Sequence, residues 1–161
     1  MPTRSTPDAC TLLDSDHRAV KKLFTQYEEL SGSKAKSSMQ TRRELADQIC
    51  SELRVHAQLE EEIFYPAVRA AIKEKDLLDE AEVEHSTAKD LIAQIQEATD
   101  VDDMFDAKVK VLGEYIDHHV KEERNDMFPK ARASKLDLVA MREELQARKE
   151  ELIATMEEAA A

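Results

Sequence analysis

Two stretches of the chain repeat one chemistry at one spacing. HAQLEEEIFYP runs from His56 to Pro66 and HVKEERNDMFP from His119 to Pro129; in each, a glutamate follows the histidine by four residues and a proline follows it by ten. Residues at i and i+4 lie one turn apart on one helix face, so each stretch offers an imidazole nitrogen and a carboxylate oxygen in the same direction. Such donors suit iron, manganese, zinc or copper. A lone histidine precedes each pair, His17 before the first and His85 before the second. The candidate metal-ligating residues are therefore His17, His56, Glu60, His85, His119 and Glu123. The cysteines, Cys10 and Cys50, form no CxxC pair, so an iron–sulfur cluster is not expected and both thiols are expected to stay reduced and separate.

These side chains need helices to aim them. With two glycines, four prolines and 36% charged residues, the chain reads as an all-α domain. The 3.6-residue period predicts four main helices, about Asp8 to Leu30, Gln40 to Tyr65, Asp76 to Ala98 and Asp102 to Met127. Pro66 and Pro129 are expected to kink or end the second and fourth, because proline has no amide donor and crowds the preceding turn. A fifth helical stretch, about Lys135 to Ala159, has a narrow apolar stripe of Leu138, Met141, Leu145, Leu152 and Met156, interrupted by Arg148 and Lys149. Ser134 with Asp137 reads as its capping pair. That stretch can pack on the bundle, pair with a second subunit as a homodimer, or project as a tail. The domain division is 1–133 for the bundle and 134–161 for the C-terminal extension.

All six candidates fall on stripes that the apolar period assigns to the core. Burying an unpaired carboxylate costs several kcal/mol, and a buried imidazole also needs a partner. Six such groups spread over four helices call for a shared compensation, and two metal ions bridged by the two glutamates would supply it. A second HxxxE pair, His118 and Glu122, lies one residue out of register. Adjacent helical residues point about 100° apart, so the apolar stripe selects His119 and Glu123 and leaves His118 as a substitute ligand or an outward residue. Tyr115 reads as a core aromatic one turn from His119, and Glu61 and Glu62 read as solvated or as supports for a ligand.

The pattern resembles the hemerythrin-like family, also called the HHE cation-binding domain. DHRAVKKLF around His17, HAQLEEEIFYP, EHSTAKDLI around His85, and HHVKEERNDMFP carry the resemblance, over roughly Thr11 to Arg132. It implies an up-down four-helix bundle enclosing two non-haem iron ions with bridging carboxylates and an oxo or hydroxo bridge. It also implies binding of dioxygen or a related small oxidant, nitric oxide or peroxide, in oxygen or redox response. Oxygen-carrying members have two histidines four residues apart on the third helix. Here Lys89 follows His85 at that spacing, which predicts a more open iron position. Two other readings compete: a di-iron enzyme that decomposes peroxide or reduces nitric oxide, and a metal-stabilised interaction bundle. A ferritin-like centre expects two ExxH pairs, and only Glu82 with His85 fits.

A net charge of -12 argues against nucleic acid as partner, since phosphates call for clustered Lys and Arg. No apolar run approaches the roughly 20 residues that span a bilayer, and MPTRSTPDAC lacks a signal peptide's apolar core. A cytoplasmic protein is expected.

Overall fold

The structure, a computed structural model, describes residues 6–160. Helix α1 (Ala9–Leu30) starts at a capping box: Asp8 accepts from the Thr11 amide while the Thr11 hydroxyl accepts from the Asp8 amide. A turn through Gly32 at φ 82° leads into α2 (Lys36–Leu59), which begins earlier than the polar linker suggests. After α3 (Tyr65–Ala71) comes α4 (Lys75–Glu97). Asp102 caps α5 (Asp103–Glu122), accepting from the Phe105 amide at 2.9 Å. The short α6 (Phe128–Ala133) and the long α7 (Leu138–Ala160) complete the chain.

Neither proline ends its helix. Residues Glu60–Phe64 and Glu123–Met127 each form a π-turn, closed by Tyr65 N–H on the Glu60 carbonyl and by Phe128 N–H on the Glu123 carbonyl. Each proline comes one residue after that closing bond, in the first turn of α3 or α6, where a missing amide donor costs little. The helical path therefore runs on for about a turn and a half beyond the expected stop.

Helix α1 packs on α2 and α5, and α4 on α2 and α5, which closes an up-down four-helix bundle. Gly113 lets α5 approach α1, since a Cβ there would stand 3.1 Å from the Phe24 ring. Two apolar clusters fill the interior. One gathers Val20, Ile49, Leu53, Ile92, Phe105 and Leu112; the other gathers Leu13, Leu59, Phe64, Val68, Leu78 and Phe128. Along α1, α2 and α4 the candidate histidines fall between residues of the two clusters, so the polar groups form a layer across the bundle.

Helix α7 lies against α1 and α2. Its Leu138, Met141 and Leu145 are buried in the second cluster, which covers the proximal part of its apolar stripe within the chain itself. Its cap is Asp137 alone, accepting from the Ala140 amide at 3.0 Å, while Ser134 sits in the preceding turn and accepts from Leu136 N–H. Among the described residues no helix is long and apolar enough to cross a membrane.

Candidate metal centre

The stripes that fold the bundle also bring the six side chains together. His17 comes from α1, His56 from the last turn of α2, His85 from α4 and His119 from the last turn of α5, and all four are buried. Glu60 and Glu123 open the two π-turns and are 0% and 1% exposed. Donor atoms of His17, His56, Glu60 and Glu123 lie within 4.8 Å of one another, and so do those of Glu60, His85, His119 and Glu123. The two groups share both glutamates. His56 Nε2 stands 3.0 Å and His85 Nε2 3.3 Å from Glu60 Oε1. On the other glutamate, His17 Nε2 is 3.3 Å from Oε1 and His119 Nε2 is 3.2 Å from Oε2.

Outside the layer, carboxylates orient the rings. Nδ1 of His56 meets Asp16 at 3.1 Å, that of His85 meets Glu61 at 3.0 Å and that of His119 meets Glu84 at 2.9 Å. A carboxylate can only accept, so each Nδ1 carries a proton and each Nε2 faces inward as a lone pair when the ring is neutral. His17 differs, with Asp14 at 3.8 Å and its Nδ1 lacking a hydrogen-bond partner. The inward nitrogens converge, His17 on His56 at 2.9 Å and His85 on His119 at 3.3 Å. Both oxygens of Glu60 and Oε1 of Glu123 are buried without a hydrogen bond, although histidine nitrogens stand close by. Between these histidine nitrogens and glutamate oxygens, close approach without a hydrogen bond is the geometry of groups aimed at a shared point. Two cations at those points would satisfy the layer, and the residues present fit them.

Without metal, protons supply the positive charge. Burial works against charged His56, but Glu60 and Asp16 overcome it and push its pKa up to about 10. For His119, burial is likewise outweighed by Glu123, Glu84 and Glu60, and the pKa rises to about 11. Burial penalises the Glu123 carboxylate, yet His119, Glu60 and His17 hold it well below its ordinary range.

Beside the layer lies a cavity of about 30 Å³, walled by Val20, Leu53, Ala88, Ile92, Ile116 and Val120. It has room for about a water or a diatomic molecule. Tyr115 lines it as a wall residue. His118 does not join the six: it is 66% exposed and faces Glu122 at 3.0 Å. Of the adjacent acids, Glu61 supports His85 and Glu62 pairs with Arg148.

Sequence reasoning missed Tyr65. Its buried hydroxyl is 3.1 Å from Nε2 of both His85 and His119, and it donates to Glu123 Oε2. Burial first, then Glu123 and Glu60, raise its pKa well above the usual phenol value, so it stays protonated. On the His85 side the Tyr65 phenol stands at the layer, and Lys89, four residues after His85, reaches Glu61 and lines the cavity. The matching residue of the other repeat is Phe128, whose ring lies parallel to His17 at 6.3 Å. A difference already present in the repeated motif, Tyr before one proline and Phe before the other, was the available signal. The cysteines are buried and unpaired with each other, and burial pushes the Cys10 thiol up to about 12 and Cys50 to about 11.

The family description "Hemerythrin HHE cation binding domain" matches residues 8–131. Over 113 residues the chain is 32% identical to a DNA nickase of Nostoc sp. (strain PCC 7120), covering 70% of this chain and 30% of that protein. The chain thus spans less than a third of that relative's length. The crystal structure of a hemerythrin HHE cation-binding-domain protein from Mycobacterium kansasii matches with a TM-score of 0.76, over 93% of this chain and 90% of that one, at 22% identity. That likeness is one of fold.

Proposed function

The chain belongs to the hemerythrin HHE cation-binding family, and on that premise we propose that it holds two non-haem iron ions and takes up dioxygen or a related small oxidant. One observation carries this reading: two four-donor groups share Glu60 and Glu123, the arrangement that two carboxylate-bridged ions require. His17 and His56 would hold one ion, and His85 and His119 the other, with the Tyr65 hydroxyl beside the second. Bound there, iron would supply Lewis acidity and exchangeable electrons for an oxidant.

The chain's own residues do the rest. Asp16, Glu61 and Glu84 fix three imidazoles in the tautomer that presents Nε2 inward. The apolar wall from Val20 to Val120 limits both the size of the guest and the entry of water. Tyr65 holds a proton at its hydroxyl between His85, His119 and Glu123. A net charge of -12 disfavours nucleic acid as partner, and we place the protein in the cytoplasm.

A second reading, decomposition of peroxide, is favoured by that same phenol. Turnover of peroxide requires protons to move between its oxygens, and Tyr65 keeps one at the edge of the layer. Metal content and an optical spectrum of protein purified without added metal test both readings. About two irons per chain, with an absorption that returns reversibly after reduction and exposure to oxygen, is expected for uptake. Iron-dependent peroxide consumption without a reversible adduct selects the second reading. No metal uptake by the reduced protein overturns both.

A further inference from the structure

Three of the carboxylates beside the rings are themselves held by a cation. Glu61, which faces His85, is held by Lys89 of α4. Asp14, near His17, is clamped by Arg124 at 2.6 Å and by Arg18 at 3.1 Å. Asp16 differs in the origin of its partner. Oδ2 faces His56, while Oδ1 accepts from Lys149 at 2.6 Å, a residue 133 positions away on α7 and beyond the segment matched by the family.

Resting on the di-metal reading above, we propose that Lys149 is a positioning residue of the metal centre, acting on His56 through Asp16. The proximal half of α7 is anchored by Leu138, Met141 and Leu145. Farther along, a groove of about 430 Å³ separates α7 from α1 and α2, with Asp16, Glu52, His56, Lys149, Ile153 and Met156 on its walls. Glu52 has a buried carboxylate oxygen without a hydrogen-bond partner, so the groove confronts Asp16 with a second acid. Lys149 lies between these charges and fixes the one Asp16 rotamer that points Oδ2 at His56. Without it, Asp16 is free to turn into the groove and His56 loses the acceptor that sets its tautomer.

Arg148 supplies the internal control. It is the adjacent residue and also ties α7 to the bundle, through Glu62 at 2.9 Å and 3.2 Å, but Glu62 orients none of the four histidines. The experiment is a Co2+ titration of the metal-free full chain against a competing chelator, on the parent, Lys149→Met, Lys149→Arg and Arg148→Met. The parent is expected to take two ions. Lys149→Met should lose roughly tenfold in affinity at one of them, as for other residues that support a ligand. Lys149→Arg should recover most of that loss, and Arg148→Met should match the parent. In the Zn2+-loaded protein, the His56 Nδ1 proton should be protected from exchange in the parent and in Lys149→Arg, and unprotected in Lys149→Met. Equal affinities in the parent and Lys149→Met, or an equal loss in Arg148→Met, would overturn the assignment while leaving the metal centre intact. A parent chain that takes up no Co2+ would fail earlier, at the di-metal reading itself.

Discussion

At the end of the bundle away from α7, Arg42 is 2% exposed and meets Asp106 at 2.8 Å. The same carboxylate accepts from the Tyr27 hydroxyl at 2.6 Å and from Gly32 N–H at 3.0 Å, and Arg42 also donates to the Ser33 carbonyl. Donors and acceptors match there, with only the Arg42 Nε left over. The histidine–glutamate layer has the reverse character. Its nitrogens converge on one another, three of its carboxylate oxygens accept no hydrogen bond, and protons must supply the charge that cations otherwise would. Both clusters are ionic, and each holds charged side chains buried in the bundle. Completeness separates them: a self-satisfied cluster holds helices together, and an unfinished one is built to receive something.

The most disruptive way to test this contrast is to make the finished cluster unfinished. Asp106→Ala strands a buried guanidinium and should cost about 3–5 kcal/mol in urea denaturation, while leaving metal stoichiometry unchanged. Next comes the completion of the unfinished cluster. Metal at one hundred times its dissociation constant should add about 2.7 kcal/mol per site to the parent. The same gain should appear in Asp106→Ala, and the share of the His17–His56 position should vanish in a His56→Ala, Glu60→Ala double variant. If metal stabilises that double variant equally, the ions bind elsewhere.

The clusters should also respond to different pH windows. His56 and His119 have pKa values raised from 6.5 to about 10 and about 11, so in the metal-free protein their stabilisation is complete below pH 6.5 and lost as pH rises through those values. Metal requires the same rings unprotonated, so its contribution grows over the same rise. Denaturation with and without Zn2+ should therefore show a gap that widens from pH 6.5 toward 10. Asp106 moves the other way. Burial raises its pKa, but Tyr27, Gly32 and Arg42 outweigh that and hold it below its usual 3.8, so its contribution is complete above pH 3.8 and fails only in stronger acid. The smallest effect expected is that of Tyr65→Phe. It makes the repeats alike and should weaken only the His85–His119 position, on the order of tenfold or about 1.4 kcal/mol.

Much of this arrangement was legible in the residues. The four helices and the six inward polar groups follow from one apolar period, because a histidine on a core stripe can be recognised without coordinates. Three features were not legible, each for its own reason. The prolines suggested helix ends because a 3.6-residue period contains no wider turn that would admit them. Tyr65 escaped notice because, five residues after Glu60 on an α-helix, it would lie about 140° round from it; the intervening i→i+5 turn brings it back over the layer. Lys149 and Arg148 registered as interruptions in an apolar stripe. They are the residues that reach Asp16 and Glu62, and no local pattern joins position 149 to position 16.

The two π-turns make each helix resemble a crystal with a line fault, in which one surplus residue is absorbed and the lattice resumes out of phase beyond it. His56, Glu60, His119 and Glu123, the four donors on these two helices, stand at or before the faults, while Tyr65, Phe128 and the two prolines stand after them. Donor positions and what caps them are therefore separately adjustable. Deleting one residue between Glu61 and Phe64 should heal the first fault, keep His56 and Glu60 in place, and leave Tyr65 four residues after Glu60, about 40° round from it and still over the layer. Each fault lets its helix carry one extra residue past the glutamate without displacing the histidine and glutamate that precede it.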